Sequence, residues 1–282
     1  MPSLFYQHFW GVVDIDVTSL VLSWLNLGTI PHPLNHTFIT LVPKTKNLES
    51  VSEYRPISLC NVLYKIFSKV LANRLMKILP FIITEHQLAL AKNRLIPDNI
   101  LVAFESLHCM KNLSTGNTSY MAVKLDIIKA YDCMEWVYLE NITRKMGFSE
   151  KWIGLIMVCI KIMTYSVLVN DEPHGLIHPT RGIRQGDCLP FTSYYAQKDY
   201  MDKFNKLQEW GILKVSLSLC QRGPELTHLL FANDSLLFCK ETMEECKKII
   251  KILESYEMRL DQKVNKIKTT IFFSKSTPKC IE

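Results

Sequence analysis

Apolar residues recur at positions 59, 62, 63, 66, 67, 70, 71, 75, 78 and 79, the spacing of one face of an amphipathic helix. This predicts a helix over 58–79, with Ser58 as its N-cap. The opposite face carries Lys65, Lys69, Arg74 and Lys77, which suits either a solvated surface or a track for nucleic-acid phosphates. From Ser119 the pattern changes. SYMAVKLDI (119–127) reads as a strand whose apolar residues crowd the end where Asp126 stands. Residues 136–145 and 151–163 read as helices separated at Gly147. YSVLVN, a turn at 171–173 and GLIHP predict a hairpin. HLLFA and SLLFC flank Asn233-Asp234, two strands around a two-residue polar turn. Thr242, with Glu245 three residues on, opens a helix to about residue 260 through a capping box, and TTIFF is a final strand.

Hairpins mixed with helices indicate an α+β fold, with helices packed on one face of an antiparallel sheet. The 282 residues suffice for one large or two modest domains. A hydrophobic fraction of 48% excludes wholesale disorder, and only 10 Gly and 12 Pro exclude a collagen-like chain. The net charge of +6 is compatible with a nucleic-acid partner. Nine cysteines, with no C-x-x-C pair and no histidine at zinc spacing, read as reduced thiols in a core. The N-terminus lacks the basic end and apolar run of a signal peptide, and the apolar stretch 153–160 is cut by Lys161, too short to span a bilayer. A soluble intracellular protein with no membrane partner is expected.

Two carboxylates sit where a core would not choose them. Asp126 ends an apolar strand, and Asp234 sits at the tip of an apolar hairpin. A charge beside buried sheet is costly unless it is paired or coordinates a metal. Either residue alone has a plain explanation, because aspartate is a common turn residue. Two acids on adjacent strand ends could instead hold divalent cations for in-line phosphoryl transfer.

Six motifs in order add to this: HTFITLVPK (36–44), YRPISLCNVLYKIFSKVLANRL (54–75), KLDIIKAYD (124–132), PTRGIRQGD (179–187), HLLFANDSLLFC (228–239) and NKIKT (265–269). On these motifs the chain resembles the reverse transcriptase of LINE-type (non-LTR) retrotransposons, in wording closest to plant copies, over about 5–276. The resemblance implies a right-hand polymerase palm plus fingers. An N-terminal extension and fingers would occupy 1–118 and the palm 119–282, with the thumb largely absent and no endonuclease domain. It implies RNA-directed DNA polymerase activity on an RNA template and DNA primer with dNTP, two Mg²⁺ (or Mn²⁺), and an intracellular location in which nucleus and cytoplasm are not distinguished, the family slightly favouring the nucleus. By motif position, Asp126 and Asp234 match metal-binding catalytic acids, and Lys268 a late palm lysine that protonates or binds pyrophosphate. Lys44 and Arg55 match fingers residues gripping the triphosphate. Tyr131 matches the aromatic that excludes a ribose 2′-OH; Gln185 and Gly186 match the residues beneath the template–nucleotide pair.

The chain also departs from the family. Where the family reads F-A-D-D, this sequence has Phe231-Ala232-Asn233-Asp234, so Asn233 replaces a metal-binding acid. After Gly186 the family continues D-P-L-S-P and an apolar helix; here stand Asp187-Cys188-Leu189-Pro190-Phe191, then Lys198 and Asp199. Asp261 stands before Gln262 where glycine is usual. Two readings stay open: an impaired polymerase, and a catalytically dead nucleic-acid-binding remnant. A group II intron maturase would share the palm, but its usual maturase region is not visible. A phosphoryl-transfer enzyme outside the polymerases would leave Gln185-Gly186 unexplained.

Overall fold

The computed structural model describes residues 1–82, 96–112, 119–128, 132–187, 217–218, 225–226, 228–231, 234–260 and 263–277. Helices α1 (Ser3–His8) and α2 (Trp10–Leu27) lead into strands β1 (His36–Pro43) and β2 (Tyr54–Cys60) and helix α3 (Val62–Met76). Next come α4 (Leu79–Ile82), α5 (Ile96–Asn112), β3 (Tyr120–Ile128), α6 (Trp136–Lys145), α7 (Glu150–Lys161), β4 (Thr164–Val169) and β5 (Glu172–Ile177). The remainder holds β6 (Leu217–Ser218), β7 (Glu225–Leu226), β8 (His228–Phe231), β9 (Asp234–Lys240), α8 (Met243–Leu260), β10 (Lys263–Val264) and β11 (Thr270–Phe273). Two compact units interleave in sequence. The first is Met1–Lys77 with Met134–Thr192, the second Ile78–Cys133 with Ser193–Glu282.

In the first unit a four-stranded sheet runs β2-β1-β4-β5. β1 pairs antiparallel with β2 and parallel with β4. Tyr64, Phe67, Leu71, Ala72 and Leu75 form the buried stripe of α3, and Trp24 of α2 meets Phe67 edge-on with ring centroids 6.3 Å apart. The expected helix over 58–79 starts later, at Val62. Ser58 is drawn into β2 opposite Ile39, and the cap is Asn61, whose side chain accepts the Leu63 N–H at 3.0 Å. The apolar run 153–160 is core: Ile153, Leu155, Ile156, Met157, Cys159 and Ile160 of α7 are buried. Ser149 caps that helix by accepting from Trp152 N. The β4–β5 turn falls at Asn170-Asp171, both at positive φ (51° and 64°), the geometry of a two-residue hairpin loop that follows strand twist. Glu172 and Pro173, expected in that turn, belong to β5.

In the second unit β3 is central. β9 lies on one side of it, with β8 beyond; β10 and β11 pair with its other edge, all antiparallel. Met110 of α5 packs with Ala122, Leu226, Leu229 and Phe238. Successive strand residues face opposite sides, and Met121, next to Ala122, meets Cys246 of α8 at 3.7 Å between sulfurs. Thr242 Oγ1 accepts the Glu245 N–H at 3.2 Å, half of the expected capping box. The return bond is absent because the Thr242 N–H donates to Lys240 O, while Glu245 takes the Lys248 ammonium. The six described cysteines are free thiols. Among the described residues no helix is long and apolar enough to cross a membrane.

Candidate active site

β3 runs apolar up to Asp126, and its register with β9 sets Asp126 directly opposite Asp234. The partner register sets Phe231 opposite Asp234, so the chain joins β8 to β9 through two residues. Asp234 is therefore the first residue of a strand and not part of the turn, because its pairing with β3 extends the ladder by one position. Asn233 in that link, and Tyr131 after β3, lie outside the described residues. Directly opposed positions of an antiparallel pair share a face, where like charges repel. Two aspartates at such positions are a hard-oxygen donor set that fits a divalent cation. Among the described residues, no cluster of three or more histidine, cysteine or carboxylate ligands forms.

Asp126 is half-buried and held by Asn265. Asn265 donates its side-chain amide to Asp126 Oδ2 at 3.1 Å and its main-chain N–H to Asp126 O at 2.8 Å. The turn that follows carries Lys268, whose side chain is exposed. The preceding residue is pinned as well, since Val264 N donates to Glu257 Oε1 of α8 at 2.8 Å. The second unit thus brings together Asp126, the Asp234 position and, through Asn265, the Lys268 turn.

The remaining described candidates belong to the first unit. Arg55 is exposed on β2, paired with Val42, and Lys44 follows the end of β1 in the same hairpin. The Lys44 ammonium donates to Ser52 O at 2.8 Å. Neighbouring Glu53 accepts from Glu49 N and Ser50 N, and these bonds hold its carboxyl below the usual range. Gln185 O accepts from Ser58 N at 3.2 Å, docking the Gln185-Gly186 turn on β2 three residues from Arg55. Gly186 sits at φ +97°, a backbone region that side-chain-bearing residues rarely adopt.

Sequence reasoning missed what supports this turn. Arg184 is 5% exposed, its guanidinium 4.5 Å above the Tyr64 ring and 5.9 Å from that of Tyr165. Its Nη2 donates to Asn35 O at 2.7 Å and also to Asn35 Oδ1. Nη1 lies 3.8 Å from Asp187 Oδ2, which accepts the Tyr64 hydroxyl at 2.5 Å. Burial pushes the Tyr64 phenol well above its usual range, and the Asp187 charge adds to the push. Trp136 Nε1 donates to Gly182 O at 2.7 Å and steadies the approach to the turn. The sequence signal for this knot was two charges, Arg184 and Asp187, flanking Gln185-Gly186. No periodicity reveals that they are buried.

An antiparallel sheet with helices, carrying aspartates at two opposed strand positions, is the kind of fold in which a polymerase palm is built. The reverse transcriptase (RNA-dependent DNA polymerase) family matches residues 42–280. The chain belongs to that family, one of divalent-metal-dependent polymerases that copy RNA templates. An uncharacterized 149 kDa protein of transposon TX1 from Xenopus laevis is 27% identical over 182 residues, covering 64% of this chain and 14% of that protein. The Pol polyprotein of the type-1 retrotransposable element R2 from Popillia japonica is 26% identical over 166 residues, covering 58% of this chain and 23% of that one. The chain spans under a quarter of either relative. In fold it is similar to apo telomerase from Candida tropicalis truncated from its C-terminal domain, with a TM-score of 0.59 at 15% identity, covering 92% of this chain and 55% of that one.

Proposed function

We propose that the chain is the fingers-and-palm part of an RNA-directed DNA polymerase of a non-LTR retrotransposon, with catalysis weakened at Asn233. The observation that carries this reading is the register that opposes Asp126 and Asp234. The stretch 1–118 supplies the fingers residues Lys44 and Arg55, which bind the triphosphate of an incoming dNTP. The stretch 119–282 supplies the palm. There Asp126 and Asp234 hold Mg²⁺, Gln185 and Gly186 lie beneath the template–nucleotide pair, and Tyr131 excludes a ribose 2′-OH. Bound divalent cations would lower the pKa of the primer 3′-hydroxyl and offset charge on the leaving pyrophosphate. Lys268, exposed on its turn, would donate a proton or a hydrogen bond to that pyrophosphate. The RNA template and DNA primer are held largely through phosphates.

Asn233 favours weak catalysis for a physical reason. An amide keeps the shape of aspartate and suits a turn, but it removes one unit of negative charge from a cation site. A loss of about 3–5 kcal/mol slows the reaction by roughly two to four decades. Primer extension on an RNA template tests the reading, with Mg²⁺ and with Mn²⁺. The chain as it stands should give no detectable extension, while N233D should recover divalent-cation binding that D126A abolishes. Robust extension by the unaltered chain, lost in D126A, would show that Asn233 is tolerated. Extension or cation binding indifferent to D126A would overturn the site. The second reading, a nucleic-acid-binding remnant, also rests on Asn233, and it predicts salt-sensitive nucleic-acid binding with no cation binding even in N233D.

A further inference from the structure

The side-chain amide of Asn265 does two things at once. Nδ2 donates to the Asp126 carboxylate, while Oδ1 accepts the N–H groups of Ile267 at 3.2 Å and Lys268 at 3.3 Å. A carboxylate only accepts and a backbone N–H only donates, so one orientation of the amide satisfies both sides. This selects the residue type. Aspartate could cap the turn but would set a second negative charge against Asp126. Serine is too short to span both partners, and alanine serves neither. The Asn265 main chain reinforces the tie, donating to Asp126 O and accepting from Lys268 N and Thr269 N at 3.2 and 2.8 Å.

We propose that Asn265 is a positioning residue that couples the Asp126 carboxylate to the turn presenting Lys268, so that acid and lysine are preset as one unit. One carboxylate oxygen is engaged by the amide, which leaves the other for a divalent cation. The proposal rests on the reading of Asp126 and Lys268 given above.

The test uses the full chain and does not depend on turnover. N265D keeps the acceptor that the turn needs, so a residue that only capped the turn would leave Tm unchanged. The coupling instead requires N265D to lower Tm by about 2–4 °C, and D126N in the same chain to restore it by supplying a donor to the new carboxylate. Amide exchange at Lys268 should accelerate about fivefold to tenfold in N265A and also in D126A, where the partner alone is removed. In the N233D chain, where cation binding is restored, adding N265A should weaken Mn²⁺ binding about 10- to 100-fold, as when a residue orienting a metal ligand is lost. An N265D chain that melts like the wild type, or whose loss D126N leaves uncorrected, would overturn the coupling. So would Lys268 exchange that ignores D126A, or Mn²⁺ binding of the N233D chain that ignores N265A. An N233D chain with no Asp126-dependent Mn²⁺ binding would overturn the metal reading instead, while melting and exchange in the unaltered chain still report the coupling.

Discussion

Arg184 shows how much a single buried cation commits. Its guanidinium touches two phenol rings, the Asn35 carbonyl groups and Asp187. Removing one partner of a buried ion pair leaves the other charge uncompensated. R184M should therefore destabilise the chain by about 3–5 kcal/mol in urea denaturation. R184M/D187N should recover part of that loss, because the stranded carboxylate is gone. The phenols around this cation set an alkaline limit. Burial pushes Tyr165 up to about 12, with the Arg184 charge acting against the shift. A folded-state pKa raised above the unfolded value of about 10 gives stability that is complete below pH 10. It is lost as pH climbs, because the unfolded chain ionises first. Stability should fall by about 2–3 kcal/mol from this residue between roughly pH 10 and 12. Y165F should flatten that part of the decline in denaturant titrations across the range.

At the scale of elements, the clearest disagreement between local pattern and structure is the start of α3. The apolar spacing continues through 59, yet Ser58 and Leu59 pair with β1, and the cap moves to Asn61. A helical stripe and a strand can share a short apolar run, and the neighbour decides between them. N61A should cost about 1 kcal/mol of stability, whereas S58A should leave the α3 cap intact. Chemical denaturation of the two variants separates the assignments. The turn at Gly186 is set by its backbone: at φ +97° a side chain is strained although the nearest atom to a Cβ would be Ser58 O at an ordinary 3.7 Å. G186A should cost about 1–2 kcal/mol through that conformation.

For the whole molecule, charge and fold point to nucleic acid. Net charge is +6, and Lys69 and Arg74 are exposed along α3 and Lys77 just past its end, with Lys65 half-buried on the same helix. Sequence-independent binding to single strands or hybrids is expected, with log K falling by about 0.7–0.9 per unit log salt for each phosphate neutralised. Anisotropy titrations between roughly 50 and 200 mM salt would show this slope, and K69E/R74E/K77E should reduce it. A salt-independent affinity would remove phosphate contact from the picture.

Local periodicity determined much of this protein. β3, the 228–239 hairpin, α6, α7, α8 and the final strand can all be read from alternation, helical spacing and turn residues, because those patterns record which faces are buried. Motif order likewise carried the family. The tertiary structure alone decided how the pieces meet. Register moved Asp234 from a turn into a strand opposite Asp126, and a slip of one residue would have sent the pair to opposite faces. The parallel pairing of β1 with β4, the Asn265 bridge from Asp126 to the Lys268 turn, and the burial of Arg184 between Tyr64 and Asn35 join residues far apart in the chain. No local period encodes such contacts; they follow from which surfaces pack once the elements exist.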